Sequence, residues 1–443
     1  MQQDVPASCD IAVVGGGLAG LTAAIALYKA VPDADIKVFE QFPRTEKAGA
    51  LLAVAANAQR VLGAIDETLV DRVRAVAADH GGNTSSVTHD QDDNVMATNQ
   101  FFGKSGIKKP DGSVEAPAMP LLLGWWELHH ICTTQLPPDA VQFGCKFAGY
   151  EETEEGVTVR FRHKGNEADG DDKDDATRGA AEVEVKAKLL VGADGAYSAV
   201  RRFCLDDGPP LNSGTFLWRA RMPGDKMDFI LTSEYAGHVW RGNNMFGTAR
   251  MLPGTNRQEG VWALAANNEK LAELGVDVAA QPQARAGQQV LPMGKSALER
   301  AKKVASGYPD RFQRLVAASS ESTVVEHAVW IRPVKGPWGK GRVTLVGDAA
   351  HAMHPTSGQG FAQAAEDAHA LAVAVRDGGV SAEALRAFEE SRWERAARVG
   401  DTEKRLSEAA YNKQGAAAGA SMGQMLDREG YIAFLNDPRP TPL

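Results

Sequence analysis

Four short apolar runs punctuate the chain: 11–14 (IAVV), 36–39 (IKVF), 183–191 and 343–346 (VTLV). The first, third and fourth stop at a glycine and the second stops at Glu40. Short β-branched runs bounded by such residues predict buried strands. Helical periodicity follows two of them. LTAAIALYKA after Gly20 predicts one helix, ended by Pro32-Asp33, and an Ala-rich stretch after Gly358 and Gly360 predicts another. Segment 183–191 begins by alternating and ends continuously apolar, as a strand entering a core does. Ser198 is placed to cap a short helix over AVRRF. The acidic, apolar-poor stretch 162–181 predicts an exposed hairpin loop between strands 157–161 and 182–191. The polar, turn-rich segment 90–117 predicts an insertion over a cavity.

The strand ends carry the chemistry. Gly15, Gly17 and Gly20 form G-x-G-x-x-G between a strand and a helix, with Leu18 and Ala19 inside it. Glu40 closes the next strand twenty residues later, with Gln41 and Arg44 following. A carboxylate there accepts from a ribose 2′-OH and repels a 2′-phosphate. FAD and NAD both satisfy this pattern. At the fourth run, Gly347-Asp348 puts a carboxylate at a strand edge, able to hold a polyol. After Pro355, the stretch Gly358-Gln359-Gly360-Phe361 opens a helix whose bare N–H groups suit an electron-rich ring. Asp194 and Gly195 occupy the corresponding edge in the middle segment, 192–195 (GADG).

Composition narrows the class. The 443 residues are long enough for two or three domains, and 44% hydrophobic with 24% charged is ordinary for a globular enzyme. A net charge of −9 argues against nucleic acid and anionic membranes as partners. Cys9, Cys132, Cys145 and Cys204 lie far apart, which excludes a C-x-x-C redox pair and points to a reducing, cytoplasmic setting. No run reaches transmembrane length. His351 and His354 do not share a helical face, because Pro355 intervenes, and the Asp cluster in 162–181 lacks calcium-loop spacing, so no metal is expected.

Together the dinucleotide fingerprint, the GADG motif and the GDAAH motif (347–351) resemble the FAD-dependent single-component aromatic hydroxylases, the group A flavoprotein monooxygenases, and most closely their salicylate hydroxylase-like branch. Trp218-Arg219, Arg332-Pro333, Trp338, Gly341-Arg342 and the stretch 388–398 extend the match over most of the chain. The resemblance implies an α/β fold: a Rossmann-like FAD domain of the p-hydroxybenzoate hydroxylase type, a mixed-sheet substrate domain and a C-terminal helix. The expected division is 1–80, 120–200 and 325–400 for FAD, 81–119 and 201–324 for substrate, and 401–443 as a helical tail.

It also implies roles. Glu40 would bind the adenosine ribose, Asp194 would lie near the pyrophosphate, Asp348 would hold the ribityl chain, and Pro355 with Gly358–Gly360 would flank the ring. One departure stands out: Trp125 occupies the place of an Arg that contacts the FAD phosphate, with Arg44 or Arg241 as substitutes. NADPH or NADH would be a transient co-substrate, since the chain has only one fingerprint. The expected reaction delivers oxygen from a flavin C4a-hydroperoxide to a phenol or aromatic acid. Arg219, Tyr235, His238 and Arg241 are the candidates for holding or deprotonating it. Epoxidation or rearrangement of an alkene or indole by the same chemistry, and a flavin-binding protein without turnover, are the alternatives. Monomer and homodimer are both open.

Overall fold

The computed structural model describes residues 5–42, 51–77, 85–100, 107–108, 114–115, 120–163, 181–231, 237–242, 244–252, 255, 258–277, 295–411, 428–435, 437 and 443. Strand Ile11–Val14 lies at the centre of a five-stranded sheet ordered Val343–Leu345, Leu189–Gly192, Ile11–Val14, Ile36–Glu40, Val141–Phe143. All four pairings are parallel, and helices Leu18–Ala30 and Gln359–Gly378 pack together beside the sheet. Parallel strands are covered on both faces, which is why these runs are continuously apolar. The register sets Val14 against both Gly192 and Phe39, and Gly192 against Leu345. Gly15, Glu40, Ala193 and Val346 therefore follow side by side at one edge. A crevice beyond the carboxyl ends of such strands is where open α/β sheets bind ligands.

The run 183–191 divides at Lys188. Ala181–Ala187 pairs antiparallel with Val157–His163 in a three-stranded sheet, and Leu189–Gly192 enters the parallel sheet. The change from alternating to continuous apolarity marks that passage.

A seven-stranded sheet runs Val324–Ile331, Leu211–Pro223, Glu259–Asn267, Met245–Met251, Gly237–Gly242, Ser85–His89, Val95–Gln100. Its pairings are antiparallel except that of Gly237–Gly242 with Ser85–His89, so the sheet is mixed. Helices Lys295–Ala305 and Asp310–Ala317 cover one face, where Trp218, Trp240, Trp262 and Phe312 are fully buried. Leu217, Arg219 and Arg221 alternate onto the other face.

Two expected boundaries shift. Strand Val324–Ile331, placed with the FAD unit at 325, joins the seven-stranded sheet, where Val324 and Ala328 pack against the tryptophan core. Helix Ala382–Tyr411 continues through 400–401, so the tail does not begin there.

Candidate active site

The fingerprint glycines are set by close approach. A Cβ on Gly15, whose φ is 110°, would lie 2.4 Å from the Ala193 carbonyl oxygen, and one on Gly20 would lie 2.0 Å from the Gly15 oxygen. The turn is thus wedged between its own helix and the GADG segment. Gly17 is different: a Cβ there meets nothing within 4 Å, so this helix-opening residue borders open space. Leu18 is buried in the core and Ala19 is half-buried beside Gly347.

Glu40 accepts the Gly16 N–H at 2.6 Å and the Phe42 N–H at 2.9 Å, one on each oxygen. Burial pushes its carboxyl up, while the N–H groups of Phe42, Gly16 and Gln41 pull it down. The carboxylate keeps a lone pair for a sugar hydroxyl. Sequence reasoning missed His129, whose Nε2 donates to the Gly16 carbonyl at 2.8 Å across 113 residues. Trp125 stacks on that imidazole with ring centroids 4.7 Å apart. The position of the expected Arg therefore supports the fingerprint through an aromatic stack. Arg44 lies outside the described residues.

Asp194 is committed locally. It accepts from Ser198 Oγ at 2.5 Å and from the Ala199 and Val200 N–H groups at 2.7 and 3.1 Å, holding the start of helix Ala199–Cys204. Gly195 follows at φ 80°, and a Cβ there would meet nothing within 4 Å.

At the fourth strand, Gly347 has φ 60° and its N–H goes to Asp367 at 2.9 Å. Asp348 opens the short helix Asp348–His351. Its side chain is open to solvent, yet burial raises its carboxyl pKa, with the nearby His351 pulling the other way. Among the described residues it accepts no hydrogen bond. The carboxylate is thus left to accept from a ligand's hydroxyls. Gly358, at φ 75°, caps helix Gln359–Gly378 and sits against Ala53. The Gln359 amide is occupied by Asn57 at 3.1 Å, so its side chain braces the loop. Gly360 borders open space, while Phe361 is half-buried and Pro355 exposed. Ser357 gives its N–H to Glu403 Oε2 at 2.8 Å and its hydroxyl to the other oxygen, tying the loop to the C-terminal helix.

The remaining candidates divide between the two faces of the larger sheet. Arg221 donates to Glu127 at 2.9 Å and to Glu259 at 2.7 Å, so its face meets helix Trp125–Thr133. Arg219 shares that face; burial alone pushes its guanidinium down to about 10. Arg241 is also there, with its guanidinium 5.7 Å from the Phe246 ring. His238 is not. It meets His89 Nε2 at 2.9 Å and stacks with Trp240 on the helix-covered face. Arg241 lies three residues on along the same strand, an odd spacing that alternation turns to the opposite face. Tyr235 lies outside the described residues. Among the described residues no group of His, Cys, Asp and Glu could hold a metal ion, and no helix is long and apolar enough to cross a membrane.

The open glycines at 17 and 360, the ribose-ready Glu40 and the unpartnered Asp348 carboxylate fit an extended FAD. Residues 8–273 and 297–403 match the FAD binding domain family. The chain is 30% identical to 3-amino-4-hydroxybenzoate 2-monooxygenase of Streptomyces platensis, over 88% of this chain and 85% of that one. It is 28% identical to aurachin C monooxygenase/isomerase of Stigmatella aurantiaca, over 82% and 79%. Among solved structures, Klebsiella pneumoniae HpxO complexed with FAD and uric acid superposes with a TM-score of 0.70 at 20% identity, covering 97% of each chain. The chain therefore belongs to the FAD binding domain family, as an FAD-dependent monooxygenase of the aromatic-hydroxylase group.

Proposed function

We propose that this enzyme hydroxylates an electron-rich aromatic, a phenol or aromatic acid, using NADPH or NADH and dioxygen. The observation that carries the reading is the end-to-end similarity to an aminohydroxybenzoate monooxygenase. When bound, FAD supplies the redox chemistry, accepting hydride and activating oxygen. The chain's own residues do the rest. Glu40 holds the adenosine ribose. The N–H groups opening helix Leu18–Ala30 face the pyrophosphate. Asp348 holds the ribityl chain, and the Pro355–Gly360 loop lies along the ring, its helix N-terminus favouring negative charge there. Arg219 and Arg241, on the sheet face that meets helix Trp125–Thr133, orient the substrate. We assign the cofactor unit to 1–80, 120–200 and 332–411, and the substrate unit to 81–119 and 201–331.

Similarity to a protein named for both monooxygenation and isomerisation favours oxidative rearrangement as the second reading. Both are tested on the FAD-loaded enzyme by following NADH and NADPH oxidation over phenols, aromatic acids, indoles and alkenes. Products are then analysed by mass for one oxygen derived from labelled O2. Hydroxylation requires aromatic compounds to stimulate oxidation and to gain that oxygen with the ring skeleton unchanged. Stimulation by none of them would reject it.

A further inference from the structure

Glu403 is fully buried on helix Ala382–Tyr411, and its carboxylate faces the Pro355–Gly360 loop, 46 residues from Ser357 in sequence. Oε2 accepts the Ser357 N–H at 2.8 Å, Oε1 accepts the Ser357 hydroxyl, and the Thr356 N–H adds a third donor. All three donors are neutral, and among the described residues no cation pairs with Glu403. The buried carboxylates of the adjacent helix Gln359–Gly378 differ. Against burial, Arg392 and Arg395 hold Glu366 down, and His351 and Arg392 hold Asp367 down, so both stay anionic. A buried carboxylate without a counter-charge is the one that can exchange its proton. Burial lifts the Glu403 carboxyl to about 7, the middle of its titration at neutral pH.

The surroundings leave that proton to Glu403. Tyr431 faces it from helix Arg428–Leu435. Burial and the Glu403 charge push that phenol up, so it stays neutral at working pH. Beyond it, Arg395 and Glu366 pair with each other. His354, which precedes the loop, is held down by burial and has Glu408 and Lys404 as charged neighbours.

In the ionised state Ser357 spends its hydroxyl hydrogen on Glu403. A proton on Glu403 reverses that bond: the carboxyl donates, Ser357 Oγ accepts, and the Ser357 hydrogen turns to another acceptor. Ser357 is half-buried and stands three residues before Gly360, which borders open space. A negative charge arriving in that space raises the proton affinity of a nearby carboxylate. We propose that Glu403 takes up a proton from solvent when the bound cofactor is reduced and returns it on reoxidation. The nicotinamide donor delivers two electrons and one proton as hydride, which leaves the ring with one negative charge. A second proton, from solvent, forms an O–H bond on Glu403, so the loop loses an anion as the ring gains one. Glu403 acts on the ring through Ser357 and is a positioning residue. The inference rests on the reading that the Pro355–Gly360 loop lies along the ring.

The test uses the FAD-loaded enzyme and needs no aromatic substrate. Spectroelectrochemical titration of the flavin at a series of pH values reads the protons bound per two electrons. Above pH 7, wild type should bind two and Glu403→Gln one. The Gln variant's potential should therefore lie above that of wild type at high pH and meet it below pH 7. The absorption of oxidised FAD should shift with a midpoint near pH 7 in wild type, keep a displaced midpoint in Glu403→Asp, and lose the shift in Glu403→Gln. A purely structural role would move the potential equally at every pH. A wild-type slope of one proton per two electrons throughout overturns the proposal, whether or not Glu403→Gln binds FAD. So does a slope left unchanged in Glu403→Gln. Either result leaves the hydroxylase reading standing, whereas absence of stimulation by any aromatic overturns that reading and leaves the coupling standing.

Discussion

His351 donates from Nε2 to Asp367 Oδ2 at 2.6 Å, which joins the GDAAH motif to helix Gln359–Gly378. The same carboxylate takes the Gly347 N–H and, on its other oxygen, Arg392 Nε at 2.9 Å. Burial would raise this carboxyl, but His351 and Arg392 outweigh it and hold it down. Removing one partner of a buried ion pair costs about 3–5 kcal/mol, because the other charge is left uncompensated. Asp367→Asn should therefore lower the melting temperature sharply and loosen FAD, although Asp367 is not assigned to the cofactor. His351→Gln removes a smaller interaction and should cost less. Calorimetric melting with parallel flavin quantification checks both, and an Asp367→Asn protein as stable as wild type would refute the pairing.

Much of this site is legible from short stretches of sequence. The glycines at 15, 17 and 20, Glu40, and Asp348 occupy strand ends or tight turns, where local spacing dictates geometry. The rest depends on contacts that no local pattern encodes. His129 reaches Gly16 across 113 residues. His238 and Arg241 lie three apart on one strand, so they point to opposite faces. Which face is covered was decided by helices near 295–317, distant in sequence. The expected division places 325–331 with the FAD unit, whereas strand Val324–Ile331 pairs into the other sheet. Trp125 was legible only as a missing charge, and its stack on His129 emerged from the fold.

The two kinds of fingerprint glycine predict opposite outcomes for the same substitution. Gly20→Ala forces a Cβ to within 2.0 Å of the Gly15 carbonyl oxygen, so the helix must leave the sheet edge and soluble yield should collapse. Gly17→Ala meets no protein atom within 4 Å and should leave the apo-protein's melting temperature unchanged. Its methyl would stand where the pyrophosphate approaches, and FAD affinity should drop about tenfold or more, equivalent to about 1.4 kcal/mol. Melting curves and FAD titration separate the cases. Gly17→Ala with undiminished FAD affinity would mean that the pyrophosphate lies elsewhere.

The Asp348 carboxyl is pushed up from its ordinary value, and no hydrogen-bond donor among the described residues reaches it. If two ribityl hydroxyls complete it, Asp348→Ala should leave folding intact while FAD washes out on desalting. Asp348→Asn keeps an acceptor and should retain more flavin than the Ala variant. Equal FAD occupancy in wild type and Asp348→Ala, measured after gel filtration, would contradict the ribityl contact.

Glu403 gives the clearest pH prediction. Burial lifts its carboxyl from 4.5 to about 7, against the Ser357 and Thr356 contacts that pull it down. The folded state thus binds this proton more tightly than the unfolded state. Its contribution to stability is complete below pH 4.5, declines as the pH rises, and is lost as the pH passes about 7. The size is about 3 kcal/mol by linkage, at 1.36 kcal/mol per unit. Glu403→Gln keeps one acceptor for Ser357 but cannot titrate. The stability of wild type relative to this variant should therefore fall between pH 5 and pH 8, and the Gln protein should hold the Pro355–Gly360 loop with less pH dependence. Denaturant unfolding of both proteins at several pH values gives the difference directly. A difference that stays constant across that window would show that Glu403 does not titrate in the folded protein.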